Sequence, residues 1–165
     1  MRASARACLL IAVAWIPASF AQAVEPTPFD VMVRSLLDAI ASMSDYRPVA
    51  PPPIFEVPQG VLEAKVCELP CNVTAAYVPR EGIYLAGNLD PVREPADRAA
   101  LLHELVHHLQ QGHPKFAQLH GCARERAKEL EAYALQNRYL EMMGSRHRVE
   151  LLDGELDCEG ARPER

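Results

Sequence analysis

The most constraining stretch of the chain is HELVHH, residues 103 to 108, which sets His103, Glu104 and His107 at the spacing HExxH. Positions i and i+4 of a helix lie one above the other on the same face. Two imidazoles so placed can grip one Zn²⁺, and the glutamate between them then stands beside the water that completes the shell. That is the zinc-hydrolase arrangement, with Glu104 as general base. The motif therefore asks for a helix here and for a third protein ligand from elsewhere, with one coordination position left open.

The flanking residues support the helix. Pro91 and Pro95 precede it, and proline is favourable at a first helical position. Leu102, Leu105, Val106 and Leu109 form an apolar face that His103 and His107 flank, and Gly112 and Pro114 end the run. The helix is expected over residues 95–111. Before it stands a hairpin signal. Residues 73–78 are β-branched and aromatic, Arg80-Glu81-Gly82 is a turn, and residues 83–86 form the return strand. Upstream, residues 29–43 carry Val31, Leu36, Leu37, Ile40 and Met43 at helical spacing. The proline-rich stretch 48–53 excludes regular helix, residues 54–57 read as a short strand, and 61–66 as a turn or two of helix. A last long helix is expected over residues 122–143.

Two candidates compete for the third ligand. His113 lies ten residues after His103, as in HExxHxxGxxH, but the glycine that would turn the chain is Gln110 here, and a non-glycine residue in that conformation is strained. The other candidate is an acid on the last helix, where ERAKELEAYALQ offers Glu125, Glu129 and Glu131. A helical wheel puts Glu129 with Cys122, Ala132, Tyr133, Gln136, Leu140 and Met143, mostly buried types. It turns Glu131 towards Arg124, Lys128, Leu135 and Arg138, a charged face expected to be solvated. An acid in an apolar stripe needs a partner. A metal would serve Glu129, and so would an arginine or lysine.

HELVHHLQ followed by ELEAY, with a small hairpin just before the motif helix, resembles the gluzincin metallopeptidases. The order of strand, active-site helix and Glu-bearing helix is similar to the minimal minigluzincin core. The likeness covers about residues 73 to 143. It implies an α+β zincin fold: a short antiparallel sheet or hairpin, an HExxH helix and a Glu-bearing helix. It also implies one Zn²⁺ per chain on His103, His107 and Glu129, with Glu104 as base in attack of zinc-bound water on a peptide bond. The free edge of the strand at 83–86 would then pair with an extended peptide or protein substrate. The chain departs from the family's ExxAD pattern at Tyr133, which stands where an acid would support a histidine. The chain also resembles a group of small exported bacterial proteins known only as a domain of unknown function. Alternatives to the peptidase are a non-catalytic exported binding module that keeps the fold, and a zinc amidase acting on cell-wall amides. Tyr84, Tyr139, His120 and His147 are candidates for stabilising an oxyanion. His108, next around the helix, is expected at an edge or in solvent.

The N-terminus reads as an export signal, residues 1–23. Arg2 and Arg6 precede the apolar run from Cys8 to Ile16, Pro17 breaks it, and Ala21-Gln22-Ala23 is a cleavage site. Residues 24–165 then form one periplasmic or extracellular domain with no stable membrane span. The chain has 17 basic and 22 acidic residues, and the signal carries two arginines and no acid, so the remainder is more acidic still. That charge argues against nucleic acid and anionic membrane surfaces as partners. Four cysteines remain, Cys67, Cys71, Cys122 and Cys158, an even count that favours disulfides in an exported chain. Of the three pairings, Cys67–Cys71 and Cys122–Cys158 are expected, the second tethering the C-terminal tail to the last helix.

Overall fold

The computed structural model describes residues 25–67 and 71–150. The first helix, α1 (Pro28–Met43), starts at a reciprocal cap. The Thr27 hydroxyl accepts from the Asp30 amide at 3.1 Å, and the Asp30 carboxylate accepts from the Thr27 amide at 2.8 Å. Its inner face is Met32, Val33, Leu36, Leu37, Ile40 and Met43. Val31, expected on that face, is instead exposed, because the buried stripe begins one residue later.

Three strands follow as a mixed sheet in the order β1-β3-β2. The expected hairpin is present: β2 (Ala75–Val78) and β3 (Gly82–Ala86) are antiparallel, with Tyr77 opposite Ile83. The strand β1 (Ile54–Val57) joins in parallel on the other side of β3, so the sheet is not purely antiparallel. A short helix, α2 (Gln59–Val66), connects β1 towards β2. Gly82 is required where β1 enters. Its φ is +144°, and a Cβ there would run into the Pro53 carbonyl.

The motif helix, α3 (Pro95–Gln110), runs through the middle of the molecule. Pro95 opens it and Asp97 lies in its first turn, where a carboxylate suits the positive end of the helix dipole. The sheet covers one side, while α1 and the long final helix α4 (Gly121–Met142) cover the other. Leu101, Leu102, Leu105 and Val106 are fully buried in a single core with Ile40, Ile83, Ala132 and Leu140. Among the described residues the result is an α+β fold of four α-helices and a three-stranded sheet. No helix among the described residues is long and apolar enough to cross a membrane.

The Cys67–Cys71 disulfide is present, with Cα atoms 6.2 Å apart. Cys122 is also disulfide-bonded, and the partner expected for it, Cys158, lies outside the described residues, as do the signal segment and most of the tail.

Candidate metal centre

One turn of α3 separates His103 from His107, and the interior of the fold turns both rings towards α4. There Glu129 meets them. The His103 and His107 Nε2 atoms are 3.0 Å apart, Glu129 Oε2 is 3.1 Å from the first, and its Oε1 is 3.2 Å from the second. Among the described residues these three form the group whose ligand atoms, all within 4.8 Å of one another, could hold a metal ion.

The far side of each imidazole decides what its Nε2 offers. His103 Nδ1 lies 3.0 Å from Gln136 Oε1, and His107 Nδ1 lies 2.9 Å from Gln110 Oε1. An amide oxygen only accepts, so each Nδ1 carries the proton and each Nε2 turns a lone pair inwards. Two lone pairs and a carboxylate thus converge with no donor among them. Such a cluster is tolerable only with a cation in its midst: a proton, or a metal. Two imidazoles and one carboxylate are a donor set that a divalent metal accepts with one position left open.

The titration shifts follow the same logic. Burial would lower the His107 pKa, but hydrogen bonding to Glu129, the charges of Glu104 and Glu129 and the Gln110 contact outweigh it, leaving it raised. Burial would raise Glu129, yet its bonds and charge attraction to the two histidines bring it down to about 2.

Glu104 is buried beside this group. Its Oε2 accepts from the Tyr77 backbone N–H at 2.6 Å. That N–H points outwards from the sheet. Thr74, whose carbonyl accepts from the Ala86 amide at 2.9 Å, faces β3, so Ala75 and Tyr77 turn their backbone groups the other way. The free edge near α3 therefore belongs to β2. The expected rim strand, 83–86, is the central strand with both edges paired. Its apolar run suited either position; only pairing with β1 decides it. A cleft of about 400 Å³ opens beside His103 and Glu104, lined also by Thr74, Ala75, Tyr133 and Gln136.

His113 takes no part in the cluster. It caps a short 3₁₀ turn, Pro114–Phe116, and its ring lies edge-on to Tyr46, 4.9 Å between centroids. His108 is half-buried against Tyr77, its pKa lowered chiefly by burial. The four oxyanion candidates all stand away from this cleft. Tyr84 bonds Glu81, Tyr139 is core, His120 contacts Arg124, and His147 is exposed. Tyr133, standing where an acid would support a histidine, instead lays its ring against that of His103, 4.6 Å between centroids. The support comes from Gln136, three residues later.

Glu131 departs most from its expected surroundings. It is not on a solvated face: it accepts from Tyr46 at 2.5 Å and from Gln110 at 3.0 Å, and it pairs with Lys115. Leu135, expected beside it in solvent, is buried. The reason is α1, which packs across α4 and covers a second face that a helical wheel cannot distinguish from solvent. Gln110 and Gln136 were the residues sequence reasoning passed over as functional. The available signal was an amide placed among apolar neighbours in each helix.

A family model described as Domain of unknown function (DUF6647) matches residues 67–162, more than half of the 165-residue chain. The chain belongs to this family. The matched span contains β2, β3, α3 and α4, and with them every member of the His103, His107 and Glu129 group. No curated protein and no solved structure matches the chain.

Proposed function

We propose that this member of the DUF6647 family is an exported zinc-dependent metallohydrolase that cleaves peptide bonds, of gluzincin type. The observation that carries the reading is the convergence of two imidazole lone pairs and the Glu129 carboxylate beside a second, buried carboxylate, Glu104. His103, His107 and Glu129 would hold the metal, and Zn²⁺ suits two nitrogens and one oxygen. When bound, the metal supplies Lewis acidity that polarises a substrate carbonyl and makes a water acidic near neutral pH.

The remaining work falls to the chain's own groups. Tyr77 N–H engages one oxygen of Glu104 and leaves the other for a water proton. Glu104 takes that proton as water attacks and delivers it to the leaving amine. The outward backbone of Ala75, which lines the cleft, offers an extended peptide a strand edge on which to align its scissile bond. The Cys67–Cys71 disulfide agrees with export through the segment 1–23 to an oxidising compartment.

The test is metal analysis of purified protein and its variants. Wild type should bind about one Zn²⁺ per chain, and Glu129→Ala should lose most of the affinity. Retention of zinc by Glu129→Ala, with loss in His113→Ala, would overturn the ligand set. Stable zinc binding with no cleavage of a peptide library, or of cell-wall amides, would shift the reading to a binding module.

A further inference from the structure

We infer that Gln110 is a positioning residue of the metal centre: it fixes His107 as the Nδ1–H tautomer, and it is itself fixed by Glu131 and the Lys128 carbonyl. The inference rests on the metal-centre reading above and deepens it.

Gln110 is only 1% exposed and its amide is fully engaged. Its Oε1 faces His107 Nδ1 at 2.9 Å, while its Nε2 donates to the Lys128 carbonyl at 2.9 Å and to Glu131 Oε2 at 3.0 Å. Both amide protons are therefore spent on acceptors. Flipping the amide would set its oxygen against a carbonyl and a carboxylate, two contacts without a proton. One orientation survives, and it leaves His107 no choice but to donate from Nδ1.

Glu131 is held as firmly. The Tyr46 hydroxyl donates to it at 2.5 Å, and the Lys115 ammonium pairs with it. Lys115 also reaches Asp45 at 3.1 Å and lies 4.1 Å over the Tyr46 ring. The relay thus draws on the segment that follows α1, on α3, the 3₁₀ turn and α4. Tyr46 stays a donor, because burial first and Glu131 second raise its pKa. Partners behind a ligating imidazole set its tautomer and its basicity, and losing one costs metal affinity.

The other histidine is different. Gln136 Oε1 faces His103 Nδ1, but no second protein partner among the described residues holds the Gln136 amide. Its orientation, with Oε1 towards Nδ1, is held by that contact alone. His107 is therefore the preorganised ligand and His103 the adaptable one, and the two glutamines should not be equivalent.

The experiment uses the full exported chain. Nitrogen–proton correlation of the imidazoles in metal-free protein, well above their titration range, reads the tautomers directly. Zinc affinity is measured by chelator competition for wild type, Gln110→Met, Gln136→Met and Glu131→Gln, with thermal unfolding as a control on folding. Wild type should show His107 as Nδ1–H. Gln110→Met should give a mixture at His107 and bind zinc about 10–100-fold more weakly. Gln136→Met should cost less, and Glu131→Gln should stay near wild type, since its amide oxygen still accepts from Gln110. A wild-type His107 protonated on Nε2 overturns the proposal, even where a variant does not fold. Equal losses for the two methionine variants overturn it as well. Wild type that binds no zinc removes the hydrolase reading, while the tautomer at His107 still tests the role of Gln110.

Discussion

Replacing Glu104 by glutamine should separate the base from the ligands. The residue is 9% exposed and its Oε2 accepts from Tyr77 N–H at 2.6 Å. Glutamine keeps an oxygen that can take that bond, so the strand amide is not orphaned. Alanine would orphan it, at about 1–3 kcal/mol, and so confounds stability with chemistry. Glutamine also removes a negative charge that helps to raise the His107 pKa. Protonation of His107 should then compete less with the metal, and zinc affinity should hold or rise slightly. Turnover should fall, because a positioned base contributes on the order of 10²–10⁴-fold, or roughly 2.7–5.4 kcal/mol of barrier. The assay compares zinc-loaded wild type and Glu104→Gln on one peptide library, with metal content and unfolding midpoint measured on the same samples. Equal cleavage by both would refute the base assignment. Loss of zinc from Glu104→Gln would refute the division of labour and make Glu104 a ligand.

Further outcomes follow from the same geometry. Metal-free wild type should owe part of its stability to both charged partners in a window from about pH 4.5 to 6.5. The lowered Glu129 contributes above its ordinary 4.5 and loses this as pH falls towards 2, while the raised His107 contributes below 6.5 and loses this as pH rises through its folded pKa. Denaturant unfolding of wild type and Glu129→Gln across pH should show their difference shrinking on both sides of that window; a constant difference contradicts it. Zinc affinity should weaken on acidification sooner than an ordinary imidazole would require, because the proton competes at His107; chelator competition at several pH values reads this. Gln136→Glu should tighten zinc binding, since a carboxylate behind His103 makes a charge-assisted bond and no acceptor of the amide among the described residues is lost; weaker binding would count against the assigned tautomer of His103. Ile40→Ala, at a fully buried site, should cost about 2–5 kcal/mol and lower the unfolding midpoint by roughly 10 °C; a calorimetric shift within error would mean α1 is not part of the core.

Much of the site was legible because it depends on local periodicity. The i, i+4 spacing alone puts His103 and His107 on one face of a helix, wherever that helix packs. The start at Pro95 and the stop at Gly112, the hairpin turn at Arg80–Gly82 and the apolar face of α1 are likewise local preferences. Glu129 was legible by one further step, since an acid among buried types requires a partner. Everything decided by which element lies beside which was not. The hydrophobicity of residues 83–86 suits a central or a rim strand, and only the parallel pairing with β1 closes its outer edge and leaves β2 facing Glu104. Glu131 looks solvated on a wheel, because a wheel knows one helix and not the α1 neighbour that brings Tyr46 to it. Gln110 and Gln136 stand out in sequence only as amides among apolar neighbours, which does not say what they hold. An amide becomes a tautomer lock only when a distant carbonyl, carboxylate or imidazole arrives at hydrogen-bond distance, and those arrivals are long-range packing. The amino-acid order thus determined the candidate ligands and the proposed base, residues whose meaning lies in their own spacing. The tertiary structure alone decided what stands behind each of them.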